Sequence, residues 1–361
     1  MLYGVYFSQR DSNGTAAGDF SLELVGTAFA QIASVTRDSR GGQTFETTKS
    51  TKEIFRSQVI LASFGGKVDG GLHNFAFAVS LPSTLPSTMQ ERGGCADCCS
   101  IKYDISTCLH RPGILKFNKK GKSQIKVSGS TRFSPGTPVT GGPSTQVVKK
   151  WCCIKAGSMS IGFQADNSVV SRNRALGLTV VTRNDSSVAI HGLHIKICQE
   201  VTWTVNGRTS HQERVVASVV VPEWLVGEVR HGVRAGNERN ESLVRVAAEA
   251  ETELQNLLTS SAGVRHELTV SQRSLDSMDI GIIQVRHRLS VRLKTPMYVN
   301  DVEVSVPLTV QTMPVGPMLV EGSHLRSSPP SWVAVNSHGQ PSPSQDQAPG
   351  EVEMFQVNSH R

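Results

Sequence analysis

The chain has 361 residues, 19% charged and 38% hydrophobic, which is enough apolar material for two domains of ordinary size. Lys and Arg total 37 against 30 Asp and Glu, and the net charge of +7 favours acidic partners such as phosphopeptides, anionic lipid or nucleic acid. The sequence has no apolar run long enough to cross a bilayer as a helix, and Met1-Leu2-Tyr3-Gly4 opens no charged or apolar leader, so a cytoplasmic chain with reduced thiols is expected.

In chain order, Phe20, Leu22 and Leu24 lead into Val25-Gly26-Thr27-Ala28-Phe29 as a first strand, and residues 58–64 form a second apolar run. Phe75, Phe77, Val79 and Leu81 then alternate with Asn74, Ala76, Ala78 and Ser80, the period of two that marks a half-buried strand. Leu81-Pro82 and Leu85-Pro86 stop it, because proline cannot donate to a sheet ladder. Beyond a loop of glycines and cysteines, Ile101, Tyr103, Ile105 and Thr107 resume the alternation, so two strands flank a proline-punctuated corner. Residues 116–127 predict one more strand, interrupted at Asn118-Lys119-Lys120-Gly121 by a tight turn. Residues 128–147 turn to Gly, Ser, Pro and Thr. A linker at 131–150 then separates domains at 1–130 and 151–315.

The second block is also strand-rich. Met159, Ile161, Phe163 and Ala165 alternate with polar or small residues, as do Leu176, Leu178 and Val180, and then Leu193, Ile195 and Ile197. Ile283, Val285, His287, Leu289, Val291 and Leu293 share one face of a late strand, and Val302, Val304, Val306 and Leu308 share one face of the last. Short strands separated by turn signals predict an all-β chain of two immunoglobulin-like β-sandwiches in tandem. One insertion departs from this pattern. Residues 241–258 carry Leu243, Val246, Ala247, Ala250, Leu254, Leu257 and Leu258 at helical spacing, a stripe expected to pack on its own domain. From 316 to 361, Ser, Pro, Gln, His and Gly predict a disordered tail.

The order of strand, Leu81-Pro82…Leu85-Pro86, glycine loop, Ile101-x-Tyr103-x-Ile105 and Leu109-His110-Arg111-Pro112 resembles the amino-terminal domain of the α-arrestin branch of the arrestin clan. The second block extends the resemblance. Cys152-Cys153 followed by Gly157-x-Met159-x-Ile161 is similar to the entry of the carboxy-terminal domain. Leu178 to Ser187, the strand at Ser277 to Val291, and Val306-Pro307-Leu308-Thr309-Val310 resemble three later family strands. Two features depart from the pattern. Gly4-Val5-Tyr6-Phe7 stands where a glycine-valine segment ends, so the first family strand is expected to be missing, and the family's P-G-E turn reads Asn173-Arg174-Ala175.

The resemblance implies a non-enzymatic cytoplasmic adaptor, peripheral to plasma membrane or endosomes, that links receptor or transporter tails to endocytic trafficking and ubiquitination. A retromer-like or coat-complex subunit is the alternative with the same fold. It further implies recruitment of a WW-domain ubiquitin ligase through P-P-x-Y motifs, for which Pro329-Pro330-Ser331-Trp332 is the nearest match.

The residues themselves offer four further sites. Cys95, Cys98 and Cys99 with Cys108 and His110 have zinc-like spacing, although free thiols are the simpler reading and no cofactor is expected. Cys152-Cys153 beside Lys149 and Lys150 is a site for acylation or an inert pair. Lys116, Lys119, Lys120, Lys122 and Lys126 form one basic cluster, and Arg286, Arg288 and Arg292 form another on one strand face. Either cluster suits phosphate or an anionic lipid headgroup, against an ordinary solvated face. No aromatic row accompanies the lysines, which argues against nucleic acid. The sequence has no nucleophile elbow, P-loop or H-E-x-x-H motif, so catalysis is not expected.

Overall fold

A computed structural model describes residues 3–9, 15–37, 43–69, 71–77, 79–94, 96–113, 117–129, 136–150, 154–223, 226, 228–229, 252–253, 255–258, 263–296, 299–312 and 358–359. The amino-terminal lobe contains β1 (Tyr3–Gln9), β2 (Thr15–Arg37), β3 (Gln43–Val68), β4 (Gly71–Phe77), β5 (Met89–Arg92), β6 (Cys98–Leu109) and β7 (Lys119–Ile125). Strands β3-β2-β6-β5, with β7 also on β6, make one sheet, and β1 and β4 pair antiparallel in another. The sheets meet through the faces that alternation predicts. Phe20, Leu22 and Leu24 of β2 and Ile101, Tyr103 and Ile105 of β6 are buried in one cluster with Phe77 of β4. The rings of Phe20 and Phe75 are 5.0 Å apart across that layer.

The carboxy-terminal lobe contains β8 (Val139–Lys150), β9 (Ile154–Ala165), β10 (Val169–Ser171), β11 (Ala175–Ser186), β12 (Gly192–Val205), β13 (Arg208–Pro222), β14 (Glu228–Val229), β15 (Val264–Thr269), β16 (Met278–Asp279), β17 (Ile283–Lys294) and β18 (Val302–Gln311). Its sheets run β14-β11-β9-β8, with β15 on β11, and β10-β18-β17-β12-β13, with β16 on β17. Met159, Ile161 and Phe163 face Ile195, Ile197 and Leu289 in the core between them. Two sandwiches in tandem are therefore present, as the alternation predicts.

Four details differ from the sequence reading. The strand at Phe75 ends at Phe77, so Leu85, rather than Leu81, is the corner residue that enters the core. Lys119–Ile125 is one unbroken strand, with Lys119 opposite Leu109 and Gly121 opposite Thr107, so no turn forms at 118–121. Residues 139–150, assigned above to the linker, form β8 on the sheet edge. Its composition misleads because a bulge between Gly141 and Ser144 accommodates Pro143, and edge strands tolerate that residue. Gly141 is required there, since a Cβ would lie 2.3 Å from Cε1 of Phe163. Finally, Tyr3–Gln9 forms a strand seven residues long on β4, so the segment read as a family remnant takes part in the lobe.

Residues 252–253 and 255–258 are helical, and buried Leu258 packs on Val181 of β11, as expected of the amphipathic stripe. Of the tail, the described residues are Asn358–Ser359 (β19), which pair with Gly4 and Tyr3 of β1. Asn173 opens the turn that stands in place of the family's P-G-E. Its φ of 58° is left-handed, a region asparagine tolerates better than other side chains, and Arg174 N–H donates to Ser171 C=O across the turn. The Asn184-x-Ser186 motif is buried. Asn184 Nδ2 donates to Val188 C=O, and its Oδ1 accepts from Ser186 N–H and Oγ–H.

Candidate functional site

The seam between the lobes is the most elaborated part of the molecule. Strands β12 and β17 run through both cores. Leu193, Ile195 and Ile197 of β12 and Leu289, Val291 and Leu293 of β17 belong to the carboxy-terminal core. Val201, Trp203 and Val205, with Ile283 and Val285, belong to the amino-terminal one. The register pair Gln199–His287 lies where the strands cross from one core to the other. An apolar seam continuous with a core holds two domains far more firmly than a polar contact.

Trp203 is fully buried, and its indole Nε1–H donates to Gln31 C=O of β2 at 3.2 Å. The glycine- and cysteine-containing loop before β6 closes over it. A Cβ on Gly93 would fall 3.0 Å from the indole Cζ2, so glycine at this position lets the loop close. Asp97 finishes that loop by accepting from Ala33 N–H at 2.7 Å and from Ser210 Oγ–H of β13 at 2.6 Å. One carboxylate thus joins both lobes. Glu91 reaches Arg214 of β13 at 3.0 Å, and Lys52 Nζ donates to Ile280 C=O at 2.9 Å.

The proline corner forms the other side of the seam. Tyr103, the central residue of the Ile-x-Tyr-x-Ile strand, donates its phenol to Pro86 C=O at 2.7 Å, and burial pushes its pKa up to about 12. Gly26 makes room for that ring, since a Cβ there would lie 2.6 Å from Tyr103 Cε1. Ser87 then donates to Oδ2 of buried Asp276 at 3.1 Å. Asp276 also holds Arg172 by two hydrogen bonds, at 3.2 and 2.9 Å, and accepts from Thr312 at the end of β18. A nearly dry carboxylate survives there because it is paired and hydrogen-bonded on both oxygens.

His287 is buried beside this cluster. Ser277, which accepts from Val310 N–H at 2.9 Å, has its proton left to donate to Nδ1 at 2.8 Å. Nε2–H then donates to Ser274 Oγ at 3.1 Å, and Ser274 donates to Gln199 Oε1 at 3.2 Å. Burial first, then the positive charges of Arg214 and Arg172, lower the imidazole pKa to about 4, so the ring is neutral at physiological pH.

The structure separates the sites suggested by sequence. Cys98 and Cys108 lie at opposite ends of β6, ten residues or roughly 33 Å apart at strand rise, so they cannot share a metal ion. His110, beyond Cys108, instead accepts from Asn118 Nδ2 at 3.3 Å. Cys95 lies outside the described residues, and among those described no cluster of metal-ligating side chains forms. Cys99 is buried and its thiol is pushed up to about 12 by burial, then by Glu91 and Cys98, so it is unreactive. Cys152, Cys153, Lys116, Pro329, Pro330 and Trp332 also lie outside the described residues.

Two members of the arginine cluster are ion-paired. Arg288 meets Glu213 at 2.7 Å, Arg292 meets Asp301 at 2.8 Å, and Arg286 stands opposite Glu200 in the ladder. Lys120 and Lys122 lie exposed on one side of edge strand β7, with Lys119 on the other, exposed Lys126 just past the strand's end, and Lys122 paired to Asp104 at 3.0 Å. Just before them stands Phe117, 90% exposed, an aromatic between lysines that the sequence reading passed over.

Both halves of this architecture match known families. The model described as Arrestin (or S-antigen), N-terminal domain, matches residues 22–134, and that described as Arrestin (or S-antigen), C-terminal domain, matches residues 155–315. Comparison with curated proteins gives no match. Two β-sandwiches in tandem define the class, a two-lobed sandwich scaffold. The chain belongs to the arrestin family and carries both of its domains. Arrestin domains serve trafficking and signalling adaptors in general, proteins that bind membrane receptors and are generally not enzymes. No described helix is long and apolar enough to cross a membrane.

Proposed function

We propose that this chain is an adaptor of the α-arrestin branch, linking receptor or transporter tails to endocytic trafficking and to a WW-domain ubiquitin ligase. The seam carries this reading. Strands shared between two cores, with Trp203, Asp97 and Asp276 bridging them, make one body that presents sheet edges at fixed separation. Binding energy at one edge is then not spent on ordering the other lobe. Pro329-Pro330-Ser331-Trp332 supplies the ligase-facing segment, docking as polyproline against an aromatic groove.

Pull-down of the full chain with isolated WW domains and with cytoplasmic tails of receptors tests both arms. Retention of the tails, and loss of WW binding on Pro330→Ala/Trp332→Ala, are the expected results. No retention of either above background would refute the adaptor. Elution of the native protein only as a stable hetero-assembly would favour the retromer-like or coat-subunit role.

A further inference from the structure

We infer that the edge of the amino-terminal lobe around β7 docks on an anionic membrane surface, with Phe117 entering the headgroup layer and Lys120, Lys122 and Lys126 over it. The inference is independent of which cargo or ligase the protein binds. From Cys98 to Lys126 the sequence holds seven Lys and Arg against one acid, Asp104. The fold concentrates that charge. Among the described residues β7 pairs with β6 alone, and its exposed side shows Lys120, Lys122 and Gln124 in a row, each roughly 7 Å from the next, with exposed Lys126 just beyond its end. Exposed Lys102 lies on the neighbouring strand.

Phe117 supplies the apolar element at the end of this row. It protrudes from a closed neck, because Asn118 Oδ1 accepts from Arg111 N–H at 3.1 Å while Asn118 Nδ2 donates to His110. A ring held in water at 90% exposure loses burial energy that an interface would return. A single aromatic beside a basic row is the composition of an interfacial anchor. It is too little for a nucleic-acid stacking platform, which needs successive rings.

The charge geometry favours a surface over a phosphopeptide. The row consists of lysines on flexible stems, which act as point charges, whereas arginine forks grip an individual phosphate bidentately. Lysines on an edge strand also discourage pairing with another strand, which disfavours an added peptide strand at this edge. Each lysine near an anionic bilayer contributes about 1 kcal/mol, roughly fivefold in binding.

The test is flotation of the full chain with vesicles of phosphatidylcholine alone and with 20% phosphatidylserine added, at about 0.1 M salt, near one Debye length of 10 Å. Binding only to the anionic vesicles is expected, falling about 25-fold in Lys120→Gln/Lys126→Gln and about tenfold in Phe117→Ala. All three residues are exposed, so melting temperatures close to wild type establish that the variants fold. Equal binding to neutral vesicles, no vesicle binding, or full retention by both variants would each overturn the inference. So would a phosphopeptide titration that saturates and is lost in the lysine variant while vesicle binding is unchanged.

Discussion

Lowering the pH from 7 to 5 should weaken this fold chiefly through His287, and the size of the loss follows from the seam. The imidazole pKa falls from 6.5 to about 4 in the native state because the ring is buried and faces Arg214 and Arg172. A depressed native pKa means that the unfolded chain takes up the proton first. The stabilisation is complete above pH 6.5 and is lost as pH falls toward the native pKa. Across that interval the loss totals about 3 kcal/mol, of which about 2 kcal/mol falls between pH 7 and 5. Burial of His194 and His266 lowers their pKa values too, so wild type alone does not isolate the effect. His287→Gln keeps a hydrogen-bonding side chain between Ser274 and Ser277 but cannot titrate. Urea unfolding followed by tryptophan fluorescence at both pH values should therefore show a loss about 2 kcal/mol smaller in the variant. An equal loss in variant and wild type would refute the assignment.

The other expectations concern the bridge between the lobes and the corner beside it. Trp203→Ala should cost about 3–5 kcal/mol, split one calorimetric transition into two and leave each lobe's strands intact by circular dichroism. Asp276→Asn leaves Arg172 partly buried without its counter-charge, and a loss near 3 kcal/mol in chemical denaturation is expected. Gly26→Ala drives a methyl into the Tyr103 ring and should cost about 1–3 kcal/mol, while Tyr103→Phe, which removes the bond to Pro86, should cost about 1 kcal/mol. The double variant should recover no stability if the ring itself causes the clash.

The alternation of Phe20, Leu22 and Leu24, of Ile101, Tyr103 and Ile105, and of Met159, Ile161 and Phe163 was legible without coordinates, and so was the two-sandwich class. Such patterns are local: a strand needs only its own period to show which side is apolar. The motif order across both blocks was legible for the same reason. Residues 139–150 and 118–121 were misread because glycine, proline and asparagine signal turns on average, whereas a bulge, an edge position or a neighbouring strand can absorb them. The exposed Phe117 was passed over because exposure depends on what the rest of the chain leaves uncovered.

The candidate site was the least legible part. Val201, Trp203, Ile283 and Val285 continue the same alternation as Ile195, Ile197, Leu289 and Val291, so nothing in the sequence marks where one core stops and the next begins. Folding decides it, by bringing Gln31, Ser87 and Asp97 of one lobe onto Trp203, Asp276 and Ser210 of the other. It also sends Cys98 and Cys108 to opposite ends of a strand and gathers the lysines of β7 on one exposed edge. The sequence by itself determined strands, faces and family, because these depend on residues near one another in the chain. The seam depends on residues 60 to 190 positions apart, and only the tertiary structure brought them together, while the rest of the fold decided that the β7 lysines stay uncovered.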